Sequence, residues 1–413
     1  MRPARLVTEF IRLAMTWARP ANIFCALAVL IAPVALFAPK GLVPLTVLAA
    51  LALAANRDVR RQFAKRLRTP LWITLAAILL WALIGVLWAP DAEQSLSLWF
   101  ALLGLFAAGL AVVAGADAVN SADRDRVGRA LVAGLGIFLV LAVVEVVSGR
   151  VLTTLVREGS GPEVLNRGAA VLAILMWPAA LAAARIRNAL FAGVLIVIAL
   201  AVLLFLPMFA ALIAALAGAV AFVAIFWMPR GAILALAAVP LVLLVLMPVL
   251  SFAVVTPDAM LAWVPDLPDS WLHRFYIWEF ASTRIAEAPL AGWGLDASRS
   301  IQGGAAQVTD RIAIQAQALP LHPHSGAIQI WLELGLPGIL LAGAALAAVL
   351  RAIAGAAVPA ASRAAAAGAF ASWFVLFMLS FGVWQNWWLC VPFLIAGLWS
   401  AAASHSSGAR VIS

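Results

Sequence analysis

The chain carries little charge for its length. Of its 413 residues, 11% are Asp, Glu, Lys or Arg, whereas 66% are hydrophobic and the mean hydropathy is +1.08. A soluble protein of this size could not hide that much apolar surface, which excludes a globular soluble enzyme and leaves a polytopic membrane protein. Cysteine is equally scarce. Cys25 and Cys390 both lie in apolar runs, so neither a disulfide framework nor a thiolate metal site is implied. No Cys or His cluster has zinc spacing, and no Walker or dinucleotide-binding glycine pattern occurs, so no metal or other cofactor is expected. The net charge of +9 falls in short segments between apolar runs, where it orients a membrane protein and is no signal for nucleic acid.

What is present is a succession of apolar runs long enough to cross a bilayer as helices, since an open sheet would leave backbone groups unpaired in lipid. Residues 2–19, with Arg2, Arg5, Arg12 and Arg19 against Leu6, Phe10, Ile11 and Met15, read as a cytoplasmic amphipathic segment on anionic lipid. Spans are predicted at about 21–38, 41–55, 70–89, 96–115, 130–148, 168–184, 189–206, 208–228 and 232–254. Three more follow at about 325–350, 365–382 and 387–403, with a tail at 404–413. The basic stretch 56–68 is cytoplasmic under the positive-inside rule, as are Arg124, Arg126, Arg129, Arg185, Arg187, Arg230, Arg351, Arg363 and Arg410. Twelve spans with both ends in the cytoplasm fit these cues. Tryptophans near span ends, among them Trp88, Trp99, Trp384, Trp387 and Trp388, are explained by aromatic belts.

The same orientation makes 255–324 a large periplasmic loop. Three of the four histidines, His273, His322 and His324, belong to it, while His405 lies in the tail. Apolar residues at 271, 275, 278 and 285 have helical spacing, and a helix over 270–287 is predicted to lie along the bilayer surface until Pro289, Gly292 and Gly294 turn the chain. Arg274, Arg284, Arg299 and Arg311 fall on this outer side, and Arg167 opens the sixth span there. Guanidinium groups suit phosphate because they grip it with two parallel hydrogen bonds and stay charged. Beside a helix start a histidine is held neutral, the form that accepts a proton. Together these residues suggest a site for a lipid-linked phosphate or diphosphate.

His324-Ser325, nine further residues and then Gly335-x-x-Gly338 resemble the signature of the O-antigen ligases, a domain shared with surface-polysaccharide polymerases and protein O-oligosaccharyltransferases. Arg274-Phe-Tyr-Ile-Trp278 and Glu287-Ala-Pro-Leu-Ala-Gly-Trp-Gly294 are also similar to that family's loop, and the motifs cover about 270–340. The resemblance implies a GT-C-like, metal-independent, inverting glycosyltransferase of the bacterial inner membrane. Its donor would be a glycan on undecaprenyl diphosphate and its acceptor lipid A–core or another hydroxyl. By the same resemblance His324 is the catalytic base and Arg274 stabilises the leaving diphosphate. Arg167, Arg299, Arg311, Arg284 and Trp278 are candidate substrate contacts. Many relatives carry an arginine near the outer start of the eighth span, where this chain reads Leu206-Pro-Met-Phe-Ala210; either Arg167 or Arg299 supplies that charge, or the donor is held differently. His322 precedes a proline and reads as loop, and Glu333 reads as a buried hydrogen-bonding group. Within the enzyme class, polymerisation and transfer to protein compete with ligation. A transporter would need charges at mid-membrane, where the spans are almost free of them. A catalytically silent assembly partner is the third class.

Overall fold

The computed structural model describes residues 19–156, 161–228, 231, 233–234, 237–308 and 316–403. The amphipathic segment up to residue 18, Arg230, Arg311, the tail with His405 and Arg410, and part of the ninth span lie outside the described residues. The architecture is all-α, with a single isolated bridge between Gln307 and Gln317 among the described residues. Among the described residues eight helices are long and apolar enough to cross a membrane, or ten if each of two bent pairs is one span. Two shorter apolar helices, Ala189–Phe205 and Asn386–Ala402, accompany them. The chain is a multi-pass membrane protein.

In chain order the helices are α1 (Pro20–Phe37), α2 (Leu42–Ala54), α3 (Arg57–Arg66), α4 (Pro70–Gly85), α5 (Ala92–Asp117) and α6 (Arg124–Val147). Then come α7 (Val151–Val156), α8 (Asn166–Ile186), α9 (Ala189–Phe205), α10 (Phe209–Trp227), α11 (Ala238–Ala253) and α12 (Pro257–Trp263). The last four are α13 (Asp269–Glu287), α14 (Gly326–Gly355), α15 (Ala360–Leu379) and α16 (Asn386–Ala402). Their starts follow local rules. Proline opens α1, α4 and α12, and the side chains of Asn56, Asp91 and Asn188 accept backbone N–H bonds at the starts of α3, α5 and α9.

Helix α8 forms the centre. Every residue from Gly168 to Ala183 is buried, against α1, α6, α9, α10 and α15. Its alanines permit this close approach, because helices in lipid associate through tight packing rather than through exclusion of water. One end of the bundle is basic. There α3 turns by 110° from α2, Arg66 pairs with Asp117 at 2.6 Å, and Arg185 pairs with Asp125 at 2.7 Å. Arg124 and Arg185 also cap the last carbonyls of α16, at Ser400, Ala402 and Ala403. The candidate site lies at the opposite end, where α8, α14 and α16 begin.

The loop after α11 is folded. Helix α13, predicted over 270–287, spans Asp269–Glu287. It does not offer its apolar face to lipid, as its composition had suggested. Leu272, Phe275, Ile277, Trp278, Ala281 and Ile285 are buried, and α13 packs against α11 and α14, while Ser270, Thr283 and Glu287 are exposed.

Helix α14 breaks at Gly335, whose φ of 60° and ψ of −157° are essentially open only to glycine. The break strands carbonyls that a straight helix would use. Trp293 N–H donates to Leu332 O at 2.8 Å, Gly294 N–H to Glu333 O at 2.9 Å, and Trp81 Nε1 to Leu334 O at 2.8 Å. In return Leu336 N–H donates to Pro289 O at 3.0 Å. The two glycine-bearing motifs read separately in the sequence are therefore halves of one joint. A Cβ at position 335 would lie 2.5 Å from Leu290 O. Gly335→Ala is expected to destabilise the fold by about 1–3 kcal/mol through backbone strain alone, with the clash in addition, and to lower the thermal unfolding temperature in detergent.

Candidate functional site

His324 stands in the loop that delivers the chain into α14. Its backbone is left-handed at φ 54°, a conformation costing a non-glycine residue about 1–2 kcal/mol. Two bonds hold it there. His324 N–H donates to His322 Nδ1 at 3.2 Å, and His324 Nδ1 lies 2.8 Å from Ser380 O at the end of α15. A carbonyl can only accept, so the ring proton sits on Nδ1 and Nε2 keeps its lone pair. Burial drives the His324 pKa down to about 4, and the positive charges of Arg274 and His273 add to this. The imidazole is therefore neutral at physiological pH.

His322 is no wetted loop residue. It is 8% exposed, lies against His324 with ring centroids 4.3 Å apart and planes tilted by 59°, and faces the side-chain amide of Gln385 at 2.9 Å through Nε2. Gly382 meets its ring so closely that a Cβ there would be 2.8 Å from Cγ. Burial and the charges of His324, Arg299 and Arg274 push its pKa to about 3. It accepts the N–H that stabilises the strained backbone of His324, which is a positioning contact.

Arg274, on α13, lies over the Trp271 ring at 5.2 Å and donates through Nη1 to Ser270 O at 2.9 Å. Among the described residues no carboxylate pairs with it, and its Nε is buried without an acceptor. Burial lowers its pKa, yet a guanidinium remains charged at neutral pH. This is a cation with a donor to spare, whose charge bears on a neutral imidazole.

The other candidates divide. Arg167 lies 5.5 Å over the ring of Trp387, whose Nε1 donates to Gln385 Oε1 at 3.1 Å, so it joins the same end of the bundle through two residues. Arg299 pairs with Asp296 at 3.0 Å, and its charge bears on His322. Arg284 is engaged by Glu287 at 2.9 Å and by the Phe280 ring, and Arg311 lies outside the described residues. Trp278 is buried at 3% and donates to Pro323 O at 2.8 Å, which props the His322–His324 loop from below. Glu333 is fully buried and accepts four hydrogen bonds, in keeping with its reading as a buried hydrogen-bonding group.

Ser380, Trp384 and Gln385 hold the site and are not evident from sequence. Trp384, Trp387 and Trp388 are buried at 7%, 4% and 1%, so an aromatic belt does not account for them. The available signal was Gln385 and Asn386, two amides set between tryptophans in an otherwise apolar region. Among the described residues no three His, Cys, Asp or Glu side chains are placed to hold a metal ion.

An all-α, multi-pass membrane protein with a neutral histidine, an arginine and a folded loop at one end defines the class. Residues 194–343 match the family model described as O-antigen ligase. The chain is also similar to two proteins named "Putative polysaccharide ligase". The one from Rickettsia conorii is 27% identical over 323 residues, 77% of this chain and 75% of the relative. The one from Rickettsia felis is 26% identical over 323 residues, 77% of this chain and 76% of the relative. A third, from Rickettsia bellii, is 34% identical over 117 residues, 28% of each chain. Over residues 194–343, then, the chain is similar to the O-antigen ligase family. The matched segment ends at 343, short of Ser380, Trp384 and Gln385.

Proposed function

We propose that the protein transfers a glycan from a lipid diphosphate to an acceptor hydroxyl at the membrane face where α14 begins. With α9 and α16 counted as crossings beside the eight long helices and the two bent pairs, the chain passes twelve times. The basic end is then cytoplasmic and the site periplasmic, in a bacterial inner membrane. The donor is a polysaccharide on undecaprenyl diphosphate and the preferred acceptor is lipid A–core. The observation that carries this reading is the His324 tautomer: Nδ1–H is committed to Ser380 O, which leaves Nε2 to accept a proton.

The acceptor oxygen attacks the anomeric carbon while His324 Nε2 takes its proton. The bond from that carbon to the diphosphate oxygen breaks, and the diphosphate leaves with the electron pair, its charge met by Arg274. Attack opposite the leaving group inverts the anomeric centre. Arg167 and Arg299 extend the cationic surface toward the rest of the donor. Deprotonation of the acceptor hydroxyl by His324 and departure of the diphosphate beside Arg274 need no metal in this scheme.

Purified, EDTA-treated protein is expected to transfer an undecaprenyl-diphosphate-linked glycan to lipid A–core and release the lipid diphosphate, as read by mass spectrometry of product. Parallel reactions offer a second lipid-linked unit or a serine peptide, which separates ligation from polymerisation and protein glycosylation. No transfer to any acceptor, or transfer only after a divalent ion is restored, overturns the reading.

A further inference from the structure

Glu333 is 0% exposed, and every contact to its carboxylate is a donor. Asp296 N–H reaches Oε2 at 2.8 Å, Ser298 Oγ reaches Oε1 at 2.5 Å, Gln329 Nε2 reaches Oε1 at 3.0 Å, and Trp384 Nε1 reaches Oε2 at 2.6 Å. Three of these partners are N–H groups that can only donate, and the fourth is a hydroxyl able to donate, a set that suits a carboxylate's acceptor oxygens. The donors come from three segments far apart in sequence: the loop after α13, the start of α14, and the connection from α15 to α16.

The last of these is tied twice. Besides Trp384, the neighbouring Val383 N–H donates to Gln329 Oε1 at 2.8 Å, and Gln329 is itself fixed by Glu333. The same short connection carries Ser380, whose carbonyl orients His324, and Gly382 and Gln385, which confine His322. Both histidines thus receive their orientation from a segment that Glu333 anchors to α14.

We propose that Glu333 is a positioning residue for His324, holding the 380–385 connection against α14 so that the imidazole keeps its tautomer and its shelter from water. The inference rests on the reading of His324 as the base. The groups whose charge bears on His324 are Arg274 and His273 from α13, with His322 beside it. Arg299 bears on His322, and Asp296 faces Glu333. Among the described residues no acidic group bears on the imidazole; burial is the largest cause of its lowered pKa and the Ser380 bond opposes it, so admitting water raises its affinity for protons by more than loss of that bond lowers it.

The arms can be cut separately in the full-length protein in proteoliposomes. Trp384→Phe keeps the aromatic bulk and removes the N–H, and Gln329→Ala removes the second tie; Ser298→Ala cuts only the arm to the other loop. With a polyprenyl-diphosphate-linked oligosaccharide as donor, Trp384→Phe/Gln329→Ala is expected to lower kcat by about 10²-fold, the scale of a misplacement near 1 Å, with KM for the donor little changed. The acid limb of kcat/KM should move up from about 4 toward the ordinary histidine value of 6.5. Ser298→Ala should leave that midpoint in place. An unmoved midpoint in Trp384→Phe alone and in the double variant, with activity falling only as folded protein is lost, overturns the inference. So does an equal shift in Ser298→Ala. His324→Ala separates the two readings: near-normal turnover there removes the base itself, whereas an inactive His324→Ala beside unmoved midpoints removes only the role of Glu333.

Discussion

Replacing His324 with alanine is expected to slow glycan transfer by about 10²–10⁴-fold, the usual contribution of a positioned general base. Binding of the lipid-linked donor should persist, because the diphosphate is assigned to Arg274. The variant should also extract and unfold like the parent. His324 is only partly buried, and alanine in the left-handed conformation at φ 54° loses one bond to Ser380 O without opening a large cavity. The pH dependence follows from the direction of the shift. The folded-state pKa is lowered to about 4, so the neutral base is fully present above about pH 5 and is lost as pH falls through that value. Kcat/KM, which reports the free enzyme, should therefore show an acid limb near 4. A bound diphosphate cancels part of the Arg274 charge that depresses the imidazole, so the acid limb of kcat should lie higher. Initial rates across pH for the parent and His324→Ala check both statements. Near-normal turnover by the variant would remove the histidine from the chemistry.

Arg274→Ala is expected to lower kcat/KM by about 10²–10³-fold, the range for deleting one donor to a developing anion. Arg274→Lys should recover part of this and no more, since an ammonium offers a point charge where the guanidinium offers a planar fork. Removing the cation also relieves its effect on both histidines, so the acid limb of the profile should move to higher pH in Arg274→Ala. Arg284→Gln makes the comparison. Its guanidinium already has Glu287, whose side chain is 49% exposed, and an exposed pair contributes about 0–1 kcal/mol, so the loss should be small. Equal losses in both variants, together with reduced protein in the membrane, would indicate a misfolded loop.

The candidate site was only partly legible because its contacts differ in range. His324 and Arg274 stand out as polar groups on a helix start and on a helix with apolar spacing, and both are local patterns. The pairs that divert Arg284 and Arg299 are also local, each carboxylate lying three residues away. The carbonyl that sets the His324 tautomer is 56 residues distant, and the amide that confines His322 is 63 residues distant. No periodicity spans such gaps. Gly335-Leu-Pro-Gly338 signals a weak helix, but only the approach of the 289–294 turn explains why the break is tolerated.

By itself the sequence determined that the chain is helical and crosses a membrane many times, where its apolar runs begin and end, and that histidine and arginine gather between α11 and α14. Each of these follows from the transfer free energy of a short window of residues, which the window alone decides. The tertiary structure decided that α13 buries its apolar face against the bundle, that His322 is buried, and that Arg274 has no carboxylate partner among the described residues. It also decided that Glu333 joins three segments near His324. Buried polar groups must find partners wherever the fold brings them, and in this chain those partners come from helices that only packing makes neighbours.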